Sequence, residues 1–218
     1  VKVYIVVPAH NEAIRIKKVI SQLAKTNYPI IVVDDGSTDN TYKRVDSKKV
    51  LLIRHRINLG KGAAMKTGAQ AAFKKGAQAV VFMDADGQHK SSDLPKFIAK
   101  LNQGYEVVFG SRNYYMGIPL IRYLGNKFAS VLVRMLFGLY VSDLLCGYRA
   151  VTKKAFKKMD WESMGYGVET EMAVLVAKKR LKRCEVSVAA VYYDKFKGVT
   201  ILDSFGILLN VLRWRITK

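Results

Sequence analysis

The residues of this chain best equipped for chemistry are two carboxylates one residue apart, Asp84 and Asp86, in the run Val-Val-Phe-Met-Asp-Ala-Asp-Gly-Gln-His from 80 to 89. Four apolar residues without polar alternation precede them, the pattern of a strand buried on both faces. Side chains two apart in an extended chain point the same way, so both carboxylates leave the strand end on one face, their Cα atoms about 6–7 Å apart. Two like charges so placed repel unless a cation lies between or near them. A hard divalent ion, Mg2+ or Mn2+, suits an all-oxygen set, with Gln88 or His89 within reach. The plainer alternative is a solvated turn carrying two acids.

The flanking sequence predicts the scaffold that such a pair needs. A first strand spans 3–7 and Pro8 closes it; Ile16, Val19, Ile20 and Leu23 then recur at helical spacing. Short apolar strands follow at 30–33 and 50–53, then an Ala-rich helix to about Lys75, the strand at 80–83, a helix near 93–102 and a strand at 107–109. This alternation predicts an α/β fold, a mainly parallel sheet flanked by helices on both faces. Polar clusters at 8–12, 34–39, 58–62, 84–89 and 110–112 each follow a strand, which puts them in one cleft at the sheet's carboxyl edge.

Composition narrows the classes. With 218 residues, no repeat and no linker, the chain reads as one domain over 1–218. Two cysteines, Cys146 and Cys184, argue for a reducing compartment and against a disulfide framework, and with three scattered histidines they make no zinc spacing. Lys and Arg outnumber Asp and Glu by 37 to 17, a net charge of +20, which favours an anionic partner: nucleic acid, anionic lipid or a phosphorylated substrate. A solvated cationic surface accounts for part of it. No nucleic-acid motif accompanies the charge, so nucleic acid is not an expected partner. Val1 opens directly into the first strand, so no signal peptide is expected, and no run of 18 apolar residues lacks a charge, so no membrane span is expected.

A dinucleotide-binding fold would place Gly-X-Gly-X-X-Gly after the first strand, and residues 8–12 contain no glycine. Lys61 is followed by Gly62 rather than Ser or Thr, which excludes a phosphate-binding loop of the ATPase type. Instead Pro8-Ala9-His10-Asn11-Glu12, Asp34-Asp35-Gly36-Ser37-Thr38-Asp39, Asn58-Leu59-Gly60-Lys61-Gly62 and Asp84-Ala85-Asp86-Gly87-Gln88-His89 resemble, in order and spacing, the family 2 glycosyltransferases of the GT-A fold. Gly110-Ser111-Arg112 and the run from Asp143 to Arg149 narrow the resemblance to dolichyl- or polyprenyl-phosphate mannose or glucose synthases. It covers nearly the whole chain.

That resemblance implies a hexose moved, with inversion, from a GDP- or UDP-sugar to a polyprenyl or dolichyl phosphate. Pro8, His10, Glu12 and Asp35 would hold the nucleotide; relatives often carry Tyr where His10 stands. Asp84, Asp86 and Gln88 would hold the metal on the donor diphosphate, Asp86 being central to catalysis, and Lys195 would stand where relatives often have Arg. Lys61 reads either as a nucleotide contact or as a solvated lysine. A lipid phosphate arrives largely ionised and needs positioning more than deprotonation, which multidentate arginine does best. Arg112 and Arg122 match the positions that would align it. Asp143, Arg149, Glu169 and Glu171 read as structural ion pairs or as catalytic groups. An acceptor hydroxyl, the rival within enzymes, would need a base such as Glu169 or Asp143.

Two stretches suit a membrane surface. Residues 118–140 are mostly apolar but carry Arg122, Lys127 and Arg134, which favours lying at the interface over crossing it. Within 201–218, Ile201, Phe205, Leu208, Leu209 and Leu212 form one helical face ending in Arg213, Trp214 and Arg215, a pattern suited to lipid headgroups or, alternatively, to the core. The expected location is cytoplasmic, peripheral at the inner face of the membrane.

Overall fold

The apolar runs pair into one seven-stranded sheet in the computed structural model, which describes residues 1–112, 120–189 and 201–217. In chain order the elements are β1 (Val3–Ala9), α1 (Ile16–Leu23), β2 (Ile30–Asp35), α2 (Thr41–Arg44), β3 (Leu51–His55), α3 (Lys61–Lys74), β4 (Ala79–Phe82), α4 (Leu94–Asn102), β5 (Val107–Arg112), α5 (Leu120–Phe137), β6 (Arg149–Thr152), α6 (Lys153–Met159), α7 (Val168–Lys178), β7 (Arg183–Val188) and α8 (Ile201–Thr217). The strand order is β3-β2-β1-β4-β6-β5-β7, and among these strands only β6 runs against the rest.

The unbroken apolar runs are explained by burial on both faces. Val80 and Phe82 of β4 join the core layer under α3, α5 and α7, whereas Ala79, Val81 and Met83 join the layer under α1 and α4. The α/β architecture with helices on both faces is therefore as expected.

Three boundaries differ from the sequence reading. Pro8 does not end β1, which continues to Ala9; pairing with β4 has already stopped at Val6↔Phe82, so the missing N–H is tolerated there. The third strand runs on to His55, because Arg54 and His55 lie opposite Asp34 and Asp35 in the parallel register and pair with them. A short 3₁₀ turn over Ser91–Asp93 delays α4 to Leu94. Strands β6 and β7 were not legible, since neither carries a long apolar run.

Candidate active site

The loops at the carboxyl ends of β1, β2 and β3 are stitched together by short polar side chains. His10 Nδ1 lies 2.8 Å from the Asp35 carbonyl and its Nε2 lies 3.1 Å from Asn58 Nδ2, so one ring ties the ends of β1, β2 and β3. The Asn11 side chain accepts from the Thr38 N–H at 3.0 Å, and the Glu12 N–H donates to Thr41 Oγ1 at 2.7 Å. The buried Asp35 carboxylate accepts from the Leu59 and Gly60 N–H groups at 3.0 and 2.7 Å and meets His55 Nδ1 at 2.7 Å. Gly36, at φ +61°, sits so close to this loop that a Cβ would fall 2.3 Å from the Ile57 carbonyl carbon. Only glycine fits that turn.

The acidic pair stands at the carboxyl end of β4. Asp84 Oδ1 accepts from Lys61 Nζ at 2.6 Å, and the same ammonium reaches Glu169 Oε1 at 2.7 Å. Burial would lower the Lys61 pKa, yet the charges of Asp84 and Glu169 outweigh it and hold the ammonium well above its ordinary range. Burial would likewise raise the Asp84 carboxyl, but the adjacent Lys61 charge keeps it low. Asp86 goes the other way: burial and then the Asp84 charge push its pKa up. Its Oδ1 accepts from the Gln88 N–H at 2.9 Å. Asp84, Asp86 and Glu169 gather three carboxylates around the Lys61 ammonium, and the oxygen donors of the acidic pair would suit Mg2+ or Mn2+. Among the described residues no three acidic, His or Cys side chains converge to hold an ion.

His89 is a brace. It is buried, stacks on Tyr148 with centroids 4.9 Å apart, and its Nδ1 accepts from the Asp84 N–H at 3.3 Å. Burial pushes its pKa down, so the neutral ring accepts this bond.

Facing the pair, the segment from 143 to 149 is wrapped around the fully buried Arg149. Its guanidinium donates to the carbonyls of Cys146 (2.8 Å), Glu169 (2.5 Å) and Leu144, and lies over the Phe109 ring. The wrap presses Gly147 onto the acids: a Cβ there would lie 2.5 Å from Asp84 Oδ2 and 2.7 Å from Lys61 Nζ. Arg112 pairs with the buried Asp143 through Nε (2.6 Å) and Nη2 (2.8 Å), and Asn126 Nδ2 donates to the same carboxylate at 2.9 Å. Behind α3, the Gly62 N–H donates to the Met164 carbonyl at 2.5 Å and Trp161 Nε1 donates to the Gly62 carbonyl at 3.1 Å. The buried Glu171 carboxylate accepts from the N–H groups of Glu162 (2.9 Å) and Ser163 (2.6 Å), fixing the loop that holds this helix start.

The profile of glycosyl transferase family 2 matches residues 4–160. The chain belongs to glycosyltransferase family 2. It is 34% identical to the UDP-N-acetylglucosamine–dolichyl-phosphate N-acetylglucosaminyltransferase of Methanococcus voltae, over 99% of this chain and 97% of that protein. It is 25% identical to the polyprenol monophosphomannose synthase of Mycolicibacterium smegmatis, over 97% and 86%. In fold it matches glucosyl-3-phosphoglycerate synthase from Mycobacterium tuberculosis, solved with Mn2+, UDP and phosphoglyceric acid: TM-score 0.78, 19% identity, covering 99% of this chain and 78% of that one. The fold is GT-A.

Within the transferase, His10, Glu12, Asp35, Asp84 and Asp86 all lie along the carboxyl edge, and Pro8 lies in the last residues of β1. Arg112 ends β5 on the far side, tied to Asp143. Arg122 belongs to α5, but its side chain lies outside the described residues, as does Lys195 altogether. Lys61 is no solvated lysine: its side chain is 18% exposed. Asp143 and Arg149 are structural ion-pair and carbonyl-binding groups. Sequence reasoning carried Gly147 only as one member of the run from 143 to 149, and it missed His55, which only the β2–β3 register brings to Asp35.

Proposed function

We propose that this transferase, working as a single unit over 1–218, moves a hexose or N-acetylated hexosamine from a UDP- or GDP-sugar to a polyprenyl or dolichyl phosphate, with inversion. The carrying observation is the seam at β4, where Asp84 meets Lys61 and Gly147 and Asp86 follows two residues on. A divalent cation held there by Asp84 and Asp86, with Gln88 in reach, would neutralise charge on the leaving diphosphate. Pro8, His10, Glu12 and Asp35 form the nucleotide side. Arg112 and Arg122 orient the acceptor phosphate, Arg112 being steered by its pairing with Asp143, and Lys195 is a further residue for the bound donor.

An already ionised acceptor is favoured by the state of the two carboxylates that a hydroxyl acceptor would need. Glu169 is paired with Lys61, and Asp143 with Arg112 and Asn126. The names of the archaeal and mycobacterial relatives support the same acceptor class.

The acceptor's tail calls for an apolar surface nearby, and α5 supplies one on the side opposite its buried Val133. It turns Asn126 and Ser130 inward, while Leu124, Phe128, Val131 and Met135 are 47–77% exposed along one stripe. On α8, which packs against α5, Leu209, Leu212 and Ile216 are exposed while Val211 and Trp214 are buried. Trp214 is thus a core residue rather than a headgroup anchor. Among the described residues no helix is long and apolar enough to cross a membrane. We read the two stripes as a peripheral contact with the cytoplasmic leaflet, flanked by Arg134, Arg213 and Arg215.

The test is incubation with UDP-glucose, UDP-N-acetylglucosamine or GDP-mannose, Mg2+ or Mn2+, and a short prenyl phosphate, with mass detection of the glycolipid. Product from one donor is expected. Transfer to a sugar or lipid hydroxyl, with none to the phosphate, would overturn the acceptor assignment.

A further inference from the structure

Lys61 occupies an electrostatically odd position. It is the first residue of α3, where the helix dipole disfavours a cation. It is nonetheless largely buried, so its stabilisation comes from the two carboxylates it bridges, Asp84 at 2.6 Å and Glu169 at 2.7 Å. These acids belong to opposite halves of the molecule: Asp84 follows β4 on the donor side, and Glu169 lies in the first turn of α7. Gly147 closes over the bridge with no room for a Cβ.

One of the two bonds conflicts with the proposed reaction. Asp84 Oδ1, which holds the ammonium, belongs to the carboxylate that would hold the divalent cation. Two cations on one carboxylate in a partly dehydrated corner repel strongly. Glu169 is only 4% exposed and would be left with an uncompensated charge if the lysine withdrew to solvent. The ammonium therefore has somewhere to go: off Asp84 while still on Glu169.

We propose that Lys61 is an exchangeable counter-ion, neutralising Asp84 until a divalent cation arrives and then remaining on Glu169 beside the leaving diphosphate. This inference rests on the metal site proposed above. Its consequence is an order of binding. The free enzyme resists the cation, because an internal one already holds Asp84. A nucleoside diphosphate shifts the balance by offering oxygens to the metal and a new partner to Lys61.

Mn2+ titration followed by electron paramagnetic resonance, without and then with UDP or GDP, tests this without measuring turnover. The wild type should bind Mn2+ weakly alone and much more tightly with nucleotide. Lys61→Met should bind Mn2+ at least tenfold more tightly alone, with a smaller gain from nucleotide, whereas Lys61→Arg, which keeps the charge, should still bind Mn2+ weakly alone. Should Lys61→Met fold poorly, the double variant Lys61→Met/Glu169→Gln removes both charges and should also bind tightly. Equal or weaker Mn2+ binding by both methionine variants, with binding still abolished by Asp86→Asn, would overturn the Lys61 proposal and leave the metal site standing. Binding indifferent to Asp86→Asn would overturn the metal-site reading itself, and this inference with it.

Discussion

The two halves of this sheet hold their polar residues by different means. From β1 to β4, each strand delivers its own cluster to the carboxyl edge, and short side chains such as His10, Asn11 and Asp35 sew neighbouring loops together. From β5 to β7, the antiparallel β6 interrupts the pattern, and large charged groups are sunk into the fold: Asp143 against Arg112, and Arg149 against three carbonyls. The first arrangement leaves a groove lined with hydrogen-bonding edges. The second makes a rigid wall that holds Gly147 against the acids of the first. The proposed chemistry lies where the wall meets the groove.

The comparison can be broken at the groove first. Asp86→Asn should lower turnover about 10³-fold, the equivalent of several kcal/mol of lost charge stabilisation, while the fold persists; initial rates at saturating donor check this. At the seam, Gly147→Ala should cost about 100-fold, because the new methyl displaces Asp84 and Lys61 by fractions of an ångström to an ångström. Its thermal midpoint should barely move, since the atoms it strikes are the ends of side chains. A large loss of stability would mean that the loop, and not the site, absorbs the methyl.

The wall should respond in stability as well as in acceptor use, because Arg112 serves both. Arg112→Ala leaves Asp143 charged at 0% exposure and should destabilise the native state by about 3 kcal/mol in urea unfolding. A double-mutant cycle with Asp143→Ala should recover most of that cost as coupling energy. The smallest effect is a probe rather than a perturbation. Burial, then the Asp143 charge, pushes the Cys146 thiol up to about 12, leaving about one thiolate in ten thousand at pH 8. A maleimide or iodoacetamide should therefore leave Cys146 untouched in the folded protein and modify it in denaturant, by mass spectrometry. Rapid labelling of native Cys146 would show that the wall opens.

Much of the groove was legible from local pattern, for a physical reason. A strand buried on both faces must be an apolar run, and the chain can become polar only where it leaves the sheet, so Asp35, Asp84 and Asp86 announce themselves at strand ends. His55 did not, because its partner is set by the register between two strands. The acceptor side was legible only as isolated motifs. Whether Arg112, Asp143, Arg149 or Glu169 faces a substrate or another side chain depends on what packs beside it.

The same division holds for the helices. Periodicity marked 118–140 and 201–218 as amphipathic, yet it could not say which face turns inward. Packing answered that for α5 by burying Val133 together with Asn126, which meets Asp143 and the Leu145 N–H, and one apolar stripe was left outside. For α8 it drew Trp214 into the core. The sequence by itself determined the fold class, the family and the acidic pair, since these follow from short-range order along the chain. The tertiary structure alone decided that Lys61 bridges Asp84 and Glu169 under Gly147. That contact joins residues up to 108 apart in sequence (61 to 169), and only the closing of the sheet with its antiparallel strand brings them within reach.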